Sequence, residues 1–195
     1  MQTKKRDTKT MVAIALLMAL IVVLQAIGGS IPPIGGFPIS LVLIPVVIGA
    51  VMYGAATGAL LGATFGAVVY INCVTGTDVG GAMVFQANPI ICFLIVMGKG
   101  ILAGFGSGMI YRLLSRKNKY LAVVCAAIIC PVLNTGIFVA CMLVFFIDVL
   151  TAWAGDGGLT GYILTGLILT NFLPELIINV LFGPAAYRII KVIKK

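Results

Sequence analysis

The sequence predicts an all-α integral membrane protein: one domain over residues 1–195, with six transmembrane helices and both termini cytoplasmic. Three observations predict it. Apolar residues make up 62% of the 195 and charged residues only 9%, against about 45–50% and about 25% in soluble domains. The mean hydropathy is +1.21, and a single globular core of this length cannot cover so much apolar surface. The net charge of +8 is also concentrated in three clusters rather than spread along the chain. This composition excludes an ordinary soluble enzyme, a disordered chain and a nucleic-acid binder.

Apolar runs of about 20 residues can each cross a bilayer. They fall at roughly 11–27, 39–53, 55–74, 89–111, 120–148 and 161–187. A basic N-terminus, 1–10, carries Lys4, Lys5, Arg6 and Lys9. The first span reads as retained rather than as a cleaved signal, because no small-x-small site precedes a soluble domain. It contains the small-residue step Ala15 and Ala19. An outer loop, 28–38, is hinged by Gly and stiffened by Pro32, Pro33 and Pro38. The second and third spans are joined through Tyr53-Gly54-Ala55 and so form a tight hairpin. Gly54, Gly58, Gly62 and Gly66 recur every fourth residue, as do Gly100, Gly104 and Gly108. Small residues at that spacing let helix backbones approach closely in lipid, and intramolecular packing is the expected use.

A second Gly-rich outer loop, 75–88, ends at Asn88-Pro89, a helix start with Asn as N-cap and Pro in the first turn. A basic loop, 112–119, follows the fourth span, and the tail, 188–195, is basic again. Six spans put twelve of the 13 Lys and Arg residues on the cytoplasmic side, as the positive-inside rule requires. Pro45, Pro131 and Pro174 lie within spans, where kinks are expected.

Much chemistry is absent from the sequence. There is no His, and Cys73, Cys92, Cys125, Cys130 and Cys141 form no CxxC pair, so no metal site is expected. No Gly-rich loop ends in Gly-Lys-Ser/Thr, and no nucleophile–base constellation is visible. Binding or transport, without a cofactor, fits better than catalysis.

The informative residues are polar ones inside apolar spans. Lys99 lies in the fourth span and Glu175 in the sixth, and an intramembrane charge is a functional-site candidate by default. Asn171, Glu175 and Asn179 are spaced i, i+4, i+8, which predicts one stripe on a helix. Asn88 and Lys99 are about three turns apart, and Asn134 follows Pro131 in the fifth span. Lys99 and Glu175 could pair with each other while the Asn side chains bridge helices. Alternatively, some of these groups could hold a ligand. The outer loops, with Phe37 in the first and Gln86 in the second, could close over it.

The chain resembles the substrate-binding S component of an energy-coupling factor (ECF) vitamin transporter along nearly its whole length. The resemblance rests on Ile31-Pro32-Pro33-Ile34-Gly35 running into Leu43-Ile44-Pro45-Val46, and on Tyr53-Gly54 through Gly66. It rests equally on Asn134-Thr135-Gly136-Ile137-Phe138 and on Asn171-Phe172-Leu173-Pro174-Glu175 with Asn179. It implies a multi-pass protein of a bacterial plasma membrane that captures a vitamin from outside. Delivery inward would use a membrane T subunit and two cytoplasmic ATPases. The resemblance also places Ala15 and Ala19 against the T subunit, and Lys99, Asn134, Asn171 and Glu175 near the ligand. Asn88 is grouped with them, and Phe37 and Gln86 belong to the lids. The motifs look closest to pantothenate-type or unassigned members, and an ammonium at Lys99 suits a carboxylate. Folate, riboflavin, niacin and pyridoxine stay open, as does a stand-alone ion-coupled transporter with Glu175 as its coupling group.

Overall fold

A computed structural model describes residues 8–30 and 41–193. Those residues are helical almost throughout, with no strand among them. Phe37, most of the 28–38 loop, residues 1–7 and Lys194–Lys195 lie outside the described residues. In chain order the helices are α1 (Thr8–Ser30), α2 (Leu43–Tyr53), α3 (Ala55–Thr75), α4 (Val79–Ala87), α5 (Pro89–Leu114), α6 (Lys119–Phe145) and α7 (Ile147–Ala154). There follow α8 (Leu159–Tyr162), a π-helical segment (Ile163–Phe172) and α9 (Leu173–Ile193). Five helical stretches are long and apolar enough to cross a membrane, within 8–28, 55–75, 89–114, 119–145 and 159–183. The second expected span, 39–53, corresponds to the shorter apolar helix α2, of 11 residues.

The centre of the bundle is the seam between α3 and α5, which make the most extensive contact in the fold. The expected glycine stripes meet there. A Cβ placed on Gly62 would strike the carbonyl of Gly100, one on Gly58 that of Gly104, and one on Gly66 that of Val96. Each step of four residues along α3 therefore matches a step of four back along α5. This antiparallel register lets the backbones touch directly, the main source of attraction where lipid tails are as apolar as the side chains. α6 packs on the other side of α5, fixed in part by Ser107 Oγ donating to the Ala126 carbonyl at 3.0 Å. α9 packs on α6, and α2 against α3 and α5. α1 is the least buried of the five long apolar stretches and touches α2 and α3.

Several expectations change. The 75–88 segment is largely helix rather than loop. Asp78 caps α4 by accepting from the Gly81 N–H at 3.0 Å, which satisfies one of the donors a helix start leaves open. The fifth span does not run to residue 148. It stops at Phe145, and a new short helix begins at Ile147. Pro45 does not kink a span, because it lies in the first turn of α2, where no intrahelical bond is lost. Pro131 does lie inside α6.

Pro174 acts differently again. It has no N–H for the carbonyl four residues back, and the helix ahead of it widens. Leu173 N–H bonds to the Ile168 carbonyl, five residues back instead of four. Thr165 and Thr170 hydroxyls donate to the carbonyls of Gly161 and Gly166, at 2.7 and 2.6 Å, a back-bonding that also bends helices.

Candidate functional site

A cavity lies among α3, α4, α5, α6 and the π segment. Its polar lining is Lys99, Asn134, Thr135, Asn171, Asp78 and the thiols of Cys73 and Cys92. Val69, Val84, Ile95, Val96 and Phe138 supply its apolar walls. Water-sized molecules have about 60 Å³ to occupy, and the empty space out through the mouth totals about 540 Å³.

Each polar group arrives by a different route. Lys99 is carried on α5 beside Gly98 and Gly100. Its half-buried side chain places Nζ 4.8 Å from the Phe138 ring centroid and 5.8 Å from that of Phe65. The ammonium thus rests on ring faces, whose quadrupoles attract it, in the field of Glu175 and Asp78. Asn134 and Thr135 come from α6, one turn past Pro131, and are almost fully buried. Phe138, four residues after Asn134, lies on the same face.

Glu175 lies behind this wall rather than in it. It is only 2% exposed, and Asn134, Thr135 and Lys99 are the polar side chains that act on it. Its Oε1 has no hydrogen-bond partner, and neither has Asn134 Oδ1 or Asn179 Oδ1. Asn179 Nδ2 donates back along its own helix to the Glu175 carbonyl at 2.9 Å. Buried polar atoms are nearly always paired, so three unpaired acceptors are unusual; Asn134 lines this cavity, whereas Asn179 lines a separate, smaller one with Val47 and Gly183.

The expected stripe of Asn171, Glu175 and Asn179 is split. Glu175 and Asn179 share a fully buried face of α9. Asn171 stands in the π segment, whose wider turn brings it round to the cavity wall.

The remaining sequence candidates fall elsewhere. Asn88 Oδ1 accepts from the N–H groups of Ile90 and Ile91, both at 3.1 Å, and so caps α5. Asn88→Ala should lower stability by about 1 kcal/mol, read as a lower melting temperature in detergent, with ligand affinity preserved. Gln86 is exposed on α4. Ala15 and Ala19 are exposed on α1, among the exposed apolar side chains Met11, Val12, Leu16, Leu20 and Val23.

Asp78, Cys73 and Phe65 were not legible as site residues from sequence. Only the glycine register, extended toward the end of α3, could have brought that end to the start of α5 near Cys92. Trp153 on α7 donates Nε1–H to the Met83 sulfur on α4 at 3.1 Å and tilts against Tyr162.

No curated protein matches the chain. The family model described as ECF transporter, substrate-specific component, matches residues 9–187. That stretch contains every described residue of the cavity and, but for Thr8, all five long apolar helical stretches. The chain is therefore a multi-pass membrane protein and a transporter's substrate-binding component rather than an enzyme: it belongs to the ECF transporter substrate-specific component family.

Proposed function

We propose that the cavity around Lys99 is the substrate site, and that the substrate is an anionic vitamin or precursor, with pantothenate the best fit. The observation that carries this reading is the pairing of one half-buried ammonium with acceptors that have no partner inside the protein. These are Asn134 Oδ1 in the cavity wall and Glu175 Oε1 just behind it. An ammonium of low hydration attracts a carboxylate strongly, and unpaired amide and carboxyl oxygens accept from hydroxyl and amide N–H groups. Pantothenate carries one carboxylate, one amide and two hydroxyls, so its groups complement this set. Asn171 completes the wall. Gln86 on α4 and Phe37 in the first outer loop belong to the segments that close over the ligand. Asn88 contributes by fixing where α5 begins.

In this reading the chain crosses a bacterial plasma membrane six times, with α2 and the residues before it as the second span. The basic segments at both ends and after α5 then lie in the cytoplasm. Delivery inward depends on a membrane T subunit and two cytoplasmic ATPases. The exposed small-residue step Ala15–Ala19, on the least buried long helix, is the face offered to the T subunit.

Purified protein tests the reading. Pantothenate at about 100 times its Kd should stabilise the isolated chain by about 2.7 kcal/mol, read as a rise in melting temperature. Ala15→Leu or Ala19→Leu should leave that rise unchanged and reduce uptake in cells containing the ATPase module. No stabilisation by pantothenate would exclude it as substrate. Equal loss of binding and uptake in the Ala variants would assign α1 to folding. Uptake by the chain alone, driven by an ion gradient, would exclude dependence on the ATPases.

A further inference from the structure

Two thiols in the cavity wall are not accounted for by substrate binding. Cys73 stands near the end of α3 and Cys92 in the first turn of α5; both are buried, and both line the cavity. The α3–α5 register explains why they meet. Gly58 faces Gly104, Gly62 faces Gly100 and Gly66 faces Val96. One further turn sets residue 70 against Cys92, and Cys73 is three residues beyond, about 4.5 Å along the axis. The helices are drawn unusually close by their glycines, and the two side chains are direct neighbours. Two thiols side by side in one wall are the starting arrangement for a disulfide. The charges of Lys99 and Asp78, one of each sign, reach both thiols. Cys125, Cys130 and Cys141 lie on α6 and do not line the cavity.

We propose that Cys73 and Cys92 form an oxidisable dithiol, which hydrogen peroxide converts reversibly into a disulfide tying the outer ends of α3 and α5. Peroxide is close to water in size and fits the hollow. The step balances. One thiol sulfur attacks the O–O bond, leaving a sulfenic acid and releasing one water. The second thiol attacks that sulfur, forms the S–S bond and releases a second water. The two cysteines lose two electrons and the peroxide gains them. The product closes a loop that contains α4, Asp78 and Asn88. This inference concerns the cavity wall and does not depend on which substrate the cavity takes.

The test uses the full chain purified in detergent. It is exposed to hydrogen peroxide, unfolded, alkylated with iodoacetamide and digested with chymotrypsin, which can cut between the two cysteines at Phe85. Mass spectrometry of the unreduced digest should show peptides bearing Cys73 and Cys92 joined and two hydrogens lighter than the free pair. The joined species should be at least tenfold more abundant than any other cysteine pair, separate on treatment with dithiothreitol, and persist in Cys125→Ser and Cys141→Ser. Alkylation of both Cys73 and Cys92 in the oxidised wild-type chain would overturn the proposal. So would either residue joined chiefly to Cys125, Cys130 or Cys141, or over-oxidation of both without a link. The decisive measurement is made on the unsubstituted protein, so a poorly folding variant does not weaken it.

Discussion

Lys99→Met is expected to weaken an anionic ligand at least tenfold, about 1.4 kcal/mol. Methionine keeps an unbranched chain that can still lie along Phe65 and Phe138, so the substitution removes the charge with little change of shape. In the low-dielectric wall the lost attraction is larger than at an exposed surface, which makes tenfold a lower bound. Titration of the purified variant measures it, and unchanged affinity would take Lys99 out of the site.

The same variant tests the other use of the charge. If Lys99 serves mainly to compensate Glu175, its removal leaves a buried carboxylate alone, at about 3–5 kcal/mol. The melting temperature would then fall, and the double variant Lys99→Met with Glu175→Gln would recover it. A ligand role gives the opposite pattern: affinity lost and stability nearly unchanged. The geometry favours that outcome, because the ammonium rests on ring faces and Glu175 Oε1 has no hydrogen-bond partner.

Gly62→Ala should destabilise the protein severely, whereas Gly98→Ala should be tolerated. Both glycines lie inside long helices, and in a helix interior alanine is favoured over glycine by about 1 kcal/mol. Propensity alone therefore predicts a gain at both positions. At Gly62 the new methyl would meet the backbone of Gly100 and Ile101, and backbone cannot move aside as a flexible side chain can. Overpacking of this sort costs about 1–3 kcal/mol, occasionally more, and here it would pry apart the seam on which α5 and the cavity depend. At Gly98 nothing lies within 4 Å of the added atom. Melting curves of the two variants in one detergent compare them directly. Equal stability of both would mean that the helices do not touch along this stripe.

The two glycine positions also show how far the sequence could be read. The spacing of Gly58, Gly62 and Gly66 and of Gly100 and Gly104 was enough to expect close helix packing, because only small residues permit it in lipid. It did not say that the two stripes face each other, nor in which register. Likewise, Lys99, Asn134, Asn171 and Glu175 stood out because polar groups are costly inside apolar spans. Their division into a cavity wall and a buried group behind it came from the widened helix before Pro174. Pro174 alone would have suggested a kink. Asn88 was legible as a cap, and the structure uses its side chain for that. The helix at 79–87 was hidden because its glycines weaken the propensity signal that Asp78 then restores by capping.

By itself, the sequence determined the solvent this chain folds in, the approximate extent of its long helices and the polar residues that need an explanation. Those follow from composition and local spacing, since transfer into lipid acts on each segment separately. Which helices touch, which side chains line the hollow and which two thiols come together were decided only by tertiary packing. They depend on the antiparallel register of α3 and α5, set by contacts between residues far apart in the chain, and on the wider turn of the π segment ahead of Pro174.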